Sequence, residues 1–188
     1  MKITFYREWL PLDKPQFAIL SMLADKGKFT GNLNDICRYF SESPQNSNRR
    51  KHQLAIEALC DKGFVSVQRS GRTWTLEVIP KEDKIQIEQD WFQAIRLRPP
   101  ATPAVSWIAV LKVLLWACGH AYDEIITNAQ ISEAVKFSPS TICGAKNVLE
   151  KEFEALIREK VSKKDADGSY FTIGQHLGLS AFWNTKTK

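Results

Sequence analysis

The densest group of chemically capable side chains lies at residues 48 to 53, where Asn48, Arg49, Arg50, Lys51, His52 and Gln53 follow one another without an acid among them. A guanidinium grips a phosphate or a guanine edge with two hydrogen bonds at once, and Asn or Gln can do the same to adenine. Successive helix positions turn by about 100°, so three adjacent cations cannot share one face. The helix dipole also opposes basic residues near a helix start, so such a run asks for a polyanionic partner; a solvated helix face is the plain alternative. Arg69 and Arg72 flank Ser70-Gly71 in a second basic group. Arginine there suits a narrow negative groove, although hairpin tips are often basic without purpose. Ser140, Thr141, Cys143, Lys146 and Asn147 make a third group with a single charge. Its hydroxyls could meet phosphate and its Asn adenine, yet such residues are equally ordinary at a helix start. Lys163 and Lys164 are diluted by Asp165 and Asp167.

Other chemistry has little to build on. His52, His120 and His176 have no carboxylate or cysteine at ligand spacing, and neither GxSxG, GxxxxGKS/T nor HExxH occurs. Asp165-Ala-Asp-Gly is a poor calcium loop: its glycine comes too early, and His176 stands where a bidentate Glu is needed. Cys37, Cys60, Cys118 and Cys143 lie 23, 58 and 25 residues apart, too far for a CxxC site. The expectation is no enzyme, no metal, no cofactor, and reduced thiols in the cytoplasm. The six tryptophans (Trp9, Trp74, Trp91, Trp107, Trp116 and Trp183) mostly fit apolar stripes, so core packing is expected over base stacking.

Charge points the same way as the basic clusters. The chain carries +5 over 188 residues, and residues 1–80 hold 12 Lys+Arg against 8 Asp+Glu, whereas residues 101–188 hold 10 against 9. Basic charge attracts polyanions, nucleic acid first among them. The most apolar stretch, Val105 to Cys118, is 14 residues long and contains Lys112. A membrane span needs about 20 apolar residues, so this reads as a buried helix and no membrane is expected. The N-terminus shows no apolar signal core.

The elements that must position these residues are legible. Asp13 caps a helix with Pro15 in its first turn, and Phe17, Ile19, Leu20, Leu23 and Ala24 form its stripe up to Gly27. A short helix follows Asn32, with Leu33, Ile36, Cys37 and Phe40 inward. After a turn-rich stretch, residues 41–48, a third helix runs from about Asn48 to Gly63 with Leu54, Ala55, Ala58 and Leu59 inward. Phe64, Val65 and Val67, then Trp74, Leu76 and Val78, predict two strands around a glycine turn.

The order then repeats. A helix runs from Ser106 to Cys118, Thr127 and Gln130 make a capping box, and Ser138-Pro139 opens a third helix. Asp165-Ala-Asp-Gly then turns a second hairpin. Between the halves, Trp91, Phe92 and Ile95 make a short amphipathic helix that can rest on either half or bridge two chains, and a Pro-rich joint follows. The expected domains are residues 1–80 and 104–188, with 81–103 as linker.

The segment Ile131-Ser-Glu-Ala-Val-Lys-Phe-Ser-Pro-Ser-Thr-Ile-Cys-Gly-Ala-Lys-Asn-Val-Leu resembles the helix-turn-helix of bacterial transcription regulators. Ile131, Ala134, Val135, Ser138, Thr141, Ile142, Ala145 and Leu149 fill that pattern's apolar, small and capping slots. Small residues let the two helices cross closely, and the cap sets where the second starts. Ala55 to Val65 resembles the exit of a recognition helix into a wing, with about eight extra residues in the preceding turn. The layout of two such units and a linker is similar to plasmid and phage replication initiators.

The resemblance implies a mainly α fold with small β-hairpin wings, as two tandem winged-helix domains. It implies sequence-specific binding of double-stranded DNA by a regulator of transcription or an initiator of DNA replication. The residues expected to contact DNA are Asn48, Arg49, Arg50, Lys51, Gln53, Arg69, Arg72, Ser140, Thr141 and Lys146. The near-neutral second half leaves an alternative open: a protein-interaction or dimerisation module, with a homodimer or protein partner meeting that half or the linker helix.

Overall fold

Strand β1 (Lys2–Tyr6) and a 3₁₀ turn at Arg7–Trp9 lead to helix α1 (Lys14–Lys26). Asp13 caps α1 by accepting the Gln16 amide proton at 2.9 Å, and Gly27, at φ 74°, ends it where a Cβ would be strained. The structure, a computed structural model, describes residues 1–98 and 105–180. They divide into two compact units, Ile3–Lys84 and Met1–Lys2 with the residues from Ile85 onward.

In the first unit, β2 (Lys28–Gly31) precedes α2 (Leu33–Tyr39), which Asn32 and Asp35 cap reciprocally. Helix α3 (Asn46–Asp61) ends one residue short of a positive-φ turn at Gly63, and β3 (Val65–Ser70) and β4 (Thr73–Val78) follow. The sheet order is β2-β4-β3, all antiparallel. Phe17, Leu20, Leu23, Ile36, Ile56, Leu59, Val65 and Leu76 meet in the core. Each such side chain contributes about 1.5–3 kcal/mol by leaving water. The inward face of α3 is His52, Ala55, Ile56 and Leu59, whereas Leu54 is 53% exposed. Of the expected stripe Ala55 and Leu59 face inward, whereas Leu54 is exposed and Ala58 half-buried, their places being taken by His52 and Ile56.

Strand β5 (Lys84–Glu88) leads to α4 (Gln89–Arg96), the helix expected as a linker. It belongs with the second unit, where Phe92 is buried edge-on against Trp107 at 6.3 Å on α5 (Trp107–Ala117). The prolines at 99, 100 and 103 lie outside the described residues, as does Trp183. Helix α6 (Asn128–Val135) carries both bonds of the Thr127–Gln130 capping box, and Ser138 caps α7 (Pro139–Lys151). Ile131, Val135, Ile142, Ala145 and Leu149 are buried against α5. Lys112, itself buried in α5, donates to the Val135 carbonyl at the end of α6. Strands β6 (Leu156–Lys164) and β7 (Tyr170–Leu179) form the second hairpin, with a bulge that leaves Ile173 unpaired.

The expectation of a mainly α fold is corrected. The described residues are 45% helical and 26% strand, with seven α-helices and three small antiparallel sheets. Strand β2 adds a third member to the first hairpin, and β6 and β7 run to nine and ten residues. Their outer parts are polar or exposed on both faces, so no period-two burial pattern announces them.

Candidate nucleic-acid interface

The long turn before α3 is tied to the helix by one acid. Glu42 accepts two hydrogen bonds from the Lys51 ammonium, at 2.6 and 2.7 Å, and its Oε2 lies 2.9 Å from His52 Nε2. The His52 ring is only 2% exposed and stacks on Phe40. Burial holds the His52 pKa below its ordinary value against the pull of Glu42. Burial also pushes the Glu42 carboxyl up, but hydrogen bonds and attraction from Lys51 and His52 outweigh it and leave that pKa lowered. Lys51 is thereby a staple whose charge is already answered.

Its neighbours differ. Asn48 donates to the Ser43 carbonyl at 2.9 Å and Gln53 to Glu57 at 2.8 Å, while Arg49 bonds Asn46 one turn back. Arg50 is exposed and has no partner among the described residues.

The first hairpin turns on Gly71 and Arg72, with Gly71 at φ 58° in the position where glycine avoids strain. Arg69 lies in register with Trp74 and sets its guanidinium 4.8 Å from that ring's centre. Both residues therefore occupy the sheet face turned toward the helices. The result is a cleft of about 360 Å³ lined by Arg49 of α3, Arg69 and Arg72 of the hairpin, Trp74, and Asn32 and Asn34 at the start of α2. No acid lines it, Arg72 has no partner among the described residues, and the buried Asn34 Oδ1 is likewise unpartnered. Three guanidinium groups around one concavity can hold oxyanions, by charge and by paired N–H donors.

In the second unit the expected contacts fare unevenly. Ser140 and Thr141 sit in the exposed first turn of α7, their hydroxyls 3.0 and 2.9 Å from Ser138 Oγ. Cys143 and Asn147 are exposed, and Asn147 accepts from Arg158 at 2.9 Å. Lys146 is not on the outer surface. It is 2% exposed, its ammonium donating to Asn128 Oδ1 at 2.5 Å. Burial and then the nearby Arg158 charge lower its pKa to about 8. It lines a cleft of about 330 Å³ with Arg158, Lys160, Asn128, Thr172 and Gln175. Lys163 and Lys164 are exposed on the hairpin, while Asp167 binds Ser169 within the turn.

Arg158, Lys160 and Asn34 are absent from the sequence expectation. The signal for the first two was available: they continue the alternation of buried Leu156, which turns that strand face toward α7. Among the described residues no group of three or more His, Cys, Asp or Glu could hold a metal ion. No described helix is long and apolar enough to cross a membrane. No protein-family model matches the chain, and no curated protein sequence matches it.

Proposed function

We propose that the chain binds double-stranded DNA as a helix-turn-helix protein, acting as a regulator of transcription or an initiator of replication in a reduced cytoplasm, with no catalytic chemistry of its own. The observation that carries this reading is the convergence of Arg49, Arg69 and Arg72 on one acid-free cleft, with Arg50 exposed on the same helix. In this reading the first turns of α3 enter the major groove while Arg69 and Arg72 meet the backbone beside it. Arg49 and Arg50 are the base-reading candidates, since Lys51 is engaged by Glu42.

The second unit supports an additional role in protein association. Tyr170, Phe171, Ile173 and Ile157 on its hairpin are 72, 47, 39 and 47% exposed, more apolar surface than a solvent-facing hairpin needs. The deciding experiment is a mobility shift of the full chain against a random duplex library at two salt concentrations. Salt-dependent retention with enrichment of particular sequences is the expected result. Absence of binding to any duplex, with a concentration-dependent rise in mass by light scattering, would replace DNA binding with the protein-interaction reading.

A further inference from the structure

The cleft of the second unit contains an electrostatic anomaly. Lys146 is buried, yet its ammonium has one partner among the described residues, the neutral amide oxygen of Asn128. An ammonium has three donors, and burying one with no acid bonded to it is costly, Glu150 acting on it only through space. Around it the cleft adds Lys160, which has no partner among the described residues, and Arg158. Arg158 is ion-paired with Glu150 through Nη2, which also donates to Asn147, so its charge is partly answered while its other nitrogens have no partner among the described residues. No acid lines the cleft. Gln175 gives one amide proton to Asn128 at 3.2 Å and retains another, and Thr172 adds a hydroxyl. The bulge at Ile173 interrupts the hairpin beside these groups, a device that re-aims side chains.

We propose that this cleft binds a phosphate group, held by the ammonium groups of Lys146 and Lys160 and the guanidinium of Arg158. Two or more positive charges with additional hydroxyl and amide donors suit a dianionic tetrahedral oxyanion better than a single carboxylate. At about 330 Å³ the space admits a small phosphomonoester as well as the free ion. The same three elements enclose the cleft of the first unit: the start of the second helix, the third helix and the hairpin. An anion bound there would raise the lowered Lys146 pKa back toward its ordinary value. The proposal does not depend on DNA binding by the first unit.

The test is thermal unfolding of the full chain titrated with inorganic phosphate, against chloride at equal ionic strength. Phosphate should raise the wild-type midpoint saturably. Lys146→Met should raise the half-saturating concentration at least about tenfold, and the exposed Lys160→Gln by about threefold or more, consistent with lost charged hydrogen bonds. Lys160→Gln decides the matter if Lys146→Met does not fold. Lys163→Gln, an exposed charge on the same hairpin but outside the cleft, should leave this response in place. A phosphate response no larger than that to chloride overturns the proposal. So does one that both cleft variants share undiminished, or one lost only when Arg72 of the first unit's cleft is replaced.

Two further arms identify the source. Adenosine monophosphate acting at a tenfold lower concentration than phosphate marks a small phosphomonoester. A duplex-binding salt slope flatter by about one unit in Lys146→Met, with no advantage for the nucleotide, marks the DNA backbone.

Discussion

Removing single cations from the first unit should change the salt dependence of DNA binding in a pattern that only its geometry explains. Three cations are available for phosphates: Arg69 and Arg72 in the cleft, and whichever of Arg49 and Arg50 does not read a base. Each phosphate neutralised contributes about 0.9 to the slope of log affinity on log salt, so three contacts give about −2.7. Raising salt from 50 to 200 mM should then weaken binding about 40-fold. Arg72→Gln should flatten the slope to about −1.8, reducing the same loss to about 12-fold. Lys51→Gln should leave the slope at its wild-type value, because two hydrogen bonds from Glu42 already answer that charge. Fluorescence anisotropy with a labelled duplex at five salt concentrations measures all of these. A Lys51 variant as flat as the Arg72 variant, or an Arg49/Arg69/Arg72 triple variant with an unchanged slope, would refute the assignment. Whichever of Arg49→Ala and Arg50→Ala costs about 1–3 kcal/mol on the preferred site and relaxes discrimination is the base reader.

Three further outcomes follow from the packing. The His52 pKa is lowered by burial, so neutral His52 contributes stability above its ordinary value of 6.5 that is lost as pH falls from there toward the folded value. The net-lowered Glu42 adds a second loss as pH falls from its ordinary 4.5. Urea midpoints from about pH 8 down to about pH 2 should show both stages, and His52→Gln should abolish the upper one; an unchanged upper stage would sink this account. Ile56→Ala, fully buried, should cost about 2–5 kcal/mol in chemical denaturation, while Leu54→Ala on the same helix should cost under about 0.5; equal losses would contradict the assigned face. A Cβ at Gly174 would lie 2.6 Å from Ile125 Cγ2 and 2.9 Å from the Ile126 carbonyl oxygen. Gly174→Ala should therefore lower the unfolding free energy by about 1–3 kcal/mol, and a neutral effect would show that the Ile126–Gln175 bridge yields freely.

What the sequence determined by itself was local. Asp13, Asn32, Thr127 and Ser138 announce their helices because a cap binds an amide two or three residues away, a distance that the chain alone sets. The apolar positions Ile131, Val135, Ile142, Ala145 and Leu149 likewise lie within one continuous stretch and are buried, while Ala134 among them is half-buried. The tertiary structure decided which charges are available. Lys51 and Arg49 are near neighbours in one basic run, yet one meets an acid nine residues upstream and the other faces a hairpin 20 residues downstream. Lys146 reads as a surface cation on α7 until Asn128 and β7 close over it. The strand content also exceeded expectation, because β6 and β7 hold together by backbone pairing while their outer side chains stay in water. Helical caps are written in neighbouring residues, whereas whether a charge is spent or free depends on partners that only the folded chain brings near.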